Sequence, residues 1–144
     1  MGGTANGPNR PSVLTRLRPT RRHLTPFERE LYDHVPAPLL ARVRIVTVPF
    51  VPGGYAGITL GSTVFLKKSQ QPDGFSVLLA HELVHVRQWN ELGMTRFLQI
   101  YLGDFVSGLR IYRSWNAAYR AIRLETEARN VANEWHFRRN AGGA

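Results

Sequence analysis

Two histidines four residues apart, with a glutamate directly after the first, are the residues of this chain best placed to do chemistry. The stretch His81-Glu82-Leu83-Val84-His85 reads H-E-x-x-H. It sits in a largely apolar run, residues 75–89, free of Gly and Pro, and Pro72-Asp73 upstream reads as a helix start. On a helix, positions i and i+4 stand about 40° apart around the axis, one turn above each other. Both imidazoles then leave one face and can share a metal ion, for which Zn²⁺ is the usual guest. Glu82 lies about 100° round from His81. From there it reaches a water beside the metal, which is the place of a general base. A lone buried histidine is ordinary. Two on one apolar face would each need a polar partner, and with five histidines in 144 residues such a pattern arises by accident roughly once in a hundred chains.

A catalytic zinc takes three protein ligands and keeps one open position, so the histidines are one ligand short. The acids and histidine downstream are Glu91, Asp104, Glu125, Glu127, Glu134 and His136. Glu91 falls where the pattern H-E-x-x-H-x-x-G-x-x-H needs its last histidine, and that pattern also needs Gly where Gln88 stands. His136 lies toward an end expected to fray. Glu125 and Glu127 flank the apolar stripe Leu124, Ala128, Val131, Ala132 and Trp135 by about 80° on opposite sides, at about 100° per residue. Helical phase does not choose between them.

The elements that position these groups follow from pattern. Residues 1–23 are rich in Gly, Pro, Asn and Arg and hold no acid. They predict a basic, disordered arm ahead of one domain over 24–140. Thr25-Pro26-Phe27-Glu28 is a capping box that opens a helix to His34, a histidine suited to the helix end by the dipole. A short helix over 38–42 and a strand over 44–50 come next. Residues 55–60 and 63–67 predict a hairpin about Gly61-Ser62, Gly first as a type II′ turn wants. A break over 90–93 separates the motif helix from a second helix over 94–112. Its stripe of Met94, Phe97, Leu98, Tyr101, Phe105, Leu109 and Tyr112 is expected to pack on the first, with Gly103 and Gly108 as candidate bends. Ser114-Trp115-Asn116 opens a further helix, and a last one covers 124–137. The expected class is α+β, a small antiparallel sheet packed on a predominantly helical domain.

Composition narrows the chemistry. The absence of cysteine excludes disulfides, Cys-ligated zinc and cysteine nucleophiles. A net charge of +9 favours an anionic partner through the basic arm, whether nucleic acid, an acidic protein or a membrane surface. No apolar leader opens the chain, and the uncharged stretch 45–66 carries too many Pro and Gly for a spanning helix. The expectation is a chain with no transmembrane segment, cytoplasmic by default.

With Leu79-Ala80 leading into the motif, and Tyr119-Arg120-Ala121-Ile122 leading into Leu124-Glu125-Thr126-Glu127-Ala128-Arg129, the stretch 55–135 resembles the zincins. These are H-E-x-x-H zinc metallopeptidases, and the likeness is to the gluzincin branch with a glutamate as third ligand. That resemblance implies a strand pair, the motif helix and a later helix that brings the glutamate. Several membrane-linked gluzincins read E-x-x-A-D on that helix. Here Glu125 and Ala128 match, while Arg129 replaces the Asp that orients a motif histidine. By resemblance, His81, His85 and Glu125 bind Zn²⁺, with Glu127 the alternative third ligand. Glu82 is then the base in hydrolysis of a peptide or protein substrate, and the strand around Gly57-Ile58-Thr59-Leu60, or its hairpin mate, is where an extended substrate can pair as an added strand. Tyr55, Tyr101, Tyr112, Tyr119 and Arg120 are all candidates for a transition-state donor. The competing reading is a non-enzymatic zinc-binding module with a basic surface for nucleic acid or an acidic partner.

Overall fold

The computed structural model describes residues 19–70 and 75–142. Its elements in order are β1 (Thr20–His23), α1 (Pro26–Leu31), α2 (Ala37–Leu40), β2 (Arg44–Val48), β3 (Gly57–Leu60), β4 (Thr63–Lys67), α3 (Val77–Tyr112), α4 (Trp115–Ala121) and α5 (Arg123–Ala141). The class is α+β. The sheet runs β1-β2-β4-β3. It is mixed rather than antiparallel, because β2 and β4 lie parallel, Arg44 opposite Thr63 and Val48 opposite Lys67. The β3–β4 hairpin forms around Gly61, at φ +61. Ser62 has no left-handed φ, as the predicted type II′ turn requires.

Sequence reading placed residues 20–23 in a disordered arm. They form β1, antiparallel to β2. Arg22 grips the buried Glu28 through two nitrogens, at 2.6 and 2.8 Å, and His23 Nδ1 lies 3.0 Å from the Val43 carbonyl. Residues 1–18 of that arm lie outside the described residues. The capping box at Thr25 and Glu28 forms as predicted. Its helix stops at Leu31, short of His34, because Tyr32 turns fully inward. There its hydroxyl accepts from the Ser76 amide at 3.0 Å. His34 is no helix-end histidine. It is drawn into the core, with Nε2 3.0 Å from the Ala80 carbonyl on α3, and burial keeps it below its ordinary pKa. The second strand ends at Val48, two residues early, leaving Phe50 exposed.

Ser76 caps α3 by accepting from Leu79 N; the predicted start at Pro72-Asp73 lies outside the described residues. The helix breaks at Gly93, where φ 73 and ψ 168 divide it into arms over 77–92 and 94–112. Gly103 and Gly108 make no bend. Gly108 instead lets α4 approach, since a Cβ there would meet Ala118 Cα at 2.9 Å. The last helix runs longer at both ends than expected. One core joins the inner face of the sheet to Leu79, Ala80, Leu83 and Val86 of α3 and to Ala132 and Trp135 of α5. A second gathers Phe97, Ile122 and Leu124 with Trp89, Tyr101 and Phe105. On the second arm Met94, Leu98 and Tyr112 stay exposed, so only part of the predicted stripe packs inward. His81 and His85 stand on the first arm of α3, and Glu125 on α5 faces them.

Candidate metal centre

The first arm of α3 delivers His81 and His85 to one face, as the i, i+4 spacing requires. Their Nε2 atoms are 3.1 Å apart. The start of α5 inserts Glu125 between them, with Oε2 3.0 Å from His81 Nε2 and Oε1 3.3 Å from His85 Nε2. The three donors lie within 4.8 Å of one another. Ligands held 2.0–2.1 Å from a tetrahedral zinc are about 3.3 Å apart, so the set matches the edges of a coordination tetrahedron.

Gln88 sharpens this. Its amide nitrogen donates to the Leu124 carbonyl at 3.0 Å and to Glu127 Oε2 at 2.8 Å. Its Oε1 therefore faces His85 Nδ1, 2.8 Å away, and that nitrogen must donate. A neutral His85 then has a bare lone pair on Nε2, aimed at a carboxylate that can only accept. A donor or a cation relieves that contact: an Nε2–H of His81, 3.1 Å away, a proton on His85, or a metal ion shared by the three groups. The donor set fits the metal. Burial alone lowers the His85 pKa; Glu125 and Glu82 more than offset it and raise the group above its ordinary value. Burial raises Glu125, yet His81, His85 and Tyr101 bring it far below the carboxylate range.

Glu82 is 4% exposed and accepts from the Thr59 hydroxyl of β3 at 2.7 Å. Burial dominates and raises its pKa. Gly57 of β3 makes room for it. A Cβ at that position would lie 3.0 Å from Glu82 Oε1. Trp89 Nε1 donates to the Thr59 carbonyl at 3.1 Å and ties the strand to α3.

Glu127, the alternative third ligand, does not reach the centre. Its side chain is 48% exposed and pairs with Arg87 at 2.7 Å. It touches the site only through Gln88. Arg129, where the resemblance expects an Asp, donates to the Arg120 carbonyl and not to either histidine. Sequence reading missed Gln88 as the support for His85, although its i+3 spacing from His85 carried the signal. Tyr101 was one name among five donors. Its hydroxyl donates to Glu125 Oε1 at 2.7 Å, and burial followed by Glu125 pushes its pKa well up. Tyr55 and Tyr119 line the clefts at the centre, whereas Tyr112 and Arg120 line neither. Glu91 and His136 stand apart from the cluster: Glu91 pairs with Arg87, and His136 lies against Phe75. Among the described residues no helix is long and apolar enough to cross a membrane. Compared with known protein families, with characterised proteins and with solved structures, the chain matches none.

Proposed function

We propose that this chain is a zinc-dependent hydrolase acting on peptide bonds. The observation that carries the reading is the convergence of His81, His85 and Glu125, one donor atom from each within 4.8 Å, with Gln88 holding the other ring nitrogen of His85. A bound zinc would supply a Lewis acid for the substrate carbonyl and lower the pKa of a water to about 7. Glu82 takes a proton from the attacking water. It returns a proton to the leaving nitrogen as the C–N bond breaks. Thr59 holds the carboxylate in place for both transfers. Tyr55 and Tyr119 line both clefts at the centre, and either hydroxyl is a candidate donor to the developing oxyanion. Strand β3 ends the sheet, and its outer edge offers backbone groups to an extended substrate. A cleft of about 230 Å³ runs beside it, walled by Trp89, Phe97, Leu98 and Leu102.

The test is metal content and turnover on one preparation. One zinc per chain is expected by elemental analysis, lost in His81→Ala. Glu82→Gln keeps the zinc and loses about 10²- to 10⁴-fold in peptide hydrolysis. A Glu82→Gln protein as active as the parent, or a parent with no stoichiometric metal, overturns the reading. A metal-loaded parent without turnover on any peptide marks the binding module instead.

A further inference from the structure

The side of the centre beside His81 opens into a cleft of about 310 Å³, lined by Tyr55, Tyr119, Arg129 and Asn133 together with His81 and Glu82. Among the described residues, Arg129 is the one Lys or Arg on the walls of either cleft at the centre. It is moored without being neutralised. Nη2 donates to the Arg120 carbonyl at 2.9 Å, a carbonyl that also accepts from the Thr126 hydroxyl.

No carboxylate among the described residues pairs with Arg129. Arg22, Arg87, Arg123, Arg138 and Arg139 all have one. Glu125, one turn back, is committed to the histidines and Tyr101. Glu127 is held by Arg87 and Gln88. Arg129 is a partly exposed residue with one N–H committed to the Arg120 carbonyl, and a guanidinium on the wall of a cleft suits a planar acceptor entering from outside.

We propose that Arg129, with Asn133 one turn on, binds a carboxylate of the substrate beside the metal centre. The inference rests on the peptidase reading above and narrows it: the substrate carries a carboxylate next to the bond that is cut. That group is either the chain's C-terminus or an Asp or Glu side chain, and the two sources separate in one experiment. Zinc-loaded Glu82→Gln protein is titrated with N-acetylated tetrapeptides in matched pairs. One pair is a free C-terminus against its amide; the other is an internal Asp against Asn, both amidated.

The expected result is that the acidic member of one pair binds about 10- to 100-fold tighter. Preference in the first pair alone marks a C-terminal carboxylate, and in the second alone a side chain. Arg129→Gln in the same background erases the preference, and Arg129→Lys restores part of it, with zinc content unchanged in both. Equal binding within both pairs overturns the proposal, as does a preference that survives Arg129→Gln. Should Arg129→Gln fail to fold, Arg129→Met takes its place in the same titration, and a preference that survives it overturns the proposal. Failure of the peptidase reading shows separately, in the metal content and turnover of the parent.

Discussion

Gln88 decides which nitrogen of His85 faces the centre. Gln88→Leu removes that choice and is expected to weaken zinc binding about 10- to 100-fold, measured by competition with a chromophoric chelator. The ¹⁵N shifts of His85 in the metal-free protein should report a tautomer change at the same time. Glu125→Ala is expected to lose several orders of magnitude in the same assay. Glu127→Ala acts only through Gln88 and should stay within the range of the Gln88 variant; a larger loss there would sink the assignment of Glu125. The histidine pair and Glu82 were legible because i and i+4 on a helix fix their relation without any tertiary knowledge. The choice between Glu125 and Glu127 was not. Both flank the α5 stripe equally, and only the side on which α3 lies tells them apart. Gln88 was legible only in part: its i+3 spacing puts it beside His85, but the groups that hold its amide nitrogen, the Leu124 carbonyl and Glu127, come from α5.

At the scale of elements, Gly93 has the most to do. Its φ 73 and ψ 168 lie in a region essentially closed to residues with a Cβ. By turning the second arm of α3, it brings Tyr101 over Glu125. Gly93→Ala is expected to lower stability by about 1–3 kcal/mol, seen as a fall in Tm. Nothing lies within 4 Å of the added Cβ, so crowding contributes nothing. An unchanged Tm and an intact Tyr101 environment would show that the bend does not need glycine. The break over 90–93 was readable, because Gly interrupts a strong helical pattern. The parallel β2–β4 pair was not. A hairpin announces itself in two turn residues, whereas β2 and β4 pair across the whole of β3. The helix from Pro26 was overextended for a related reason. The capping box marks its start and Pro36 bounds its end, but neither shows that the chain leaves the helix at Tyr32, which is fully buried.

Across the whole molecule, the charge of +9 and the fold meet at β1. Removing residues 1–18 should weaken binding to anionic polymers and leave zinc content alone. Extending the deletion through His23 strips Arg22 from Glu28, whose side chain is 3% exposed. The expected loss lies toward the low end of about 3–5 kcal/mol, because Arg22 itself is 31% exposed. Equal Tm for the two truncations would show that β1 is dispensable. The same pair gives an acid limit. Burial pushes Glu28 up, and Arg22 with the Thr25 amide and hydroxyl more than offset it, so its folded pKa lies below 4.5. A lowered folded value means that its contribution is complete above about pH 4.5 and is lost as pH falls through the folded value. The parent should therefore lose stability there, and an Arg22→Gln variant should lose less. Trp135 closes the fold at the other end. It is fully buried, stacked on Tyr32 and Phe75, and its Nε1 donates to the Leu31 carbonyl, a partner 104 residues earlier. During vectorial synthesis both imidazoles and the base leave the ribosome before the carboxylate that joins them, and before the indole that seats that helix. A nascent chain halted ahead of Trp135 thus carries the whole H-E-x-x-H sequence and still lacks the contact that locks its last helix home. The three donors of the centre therefore come together only after the last helix has been made and seated.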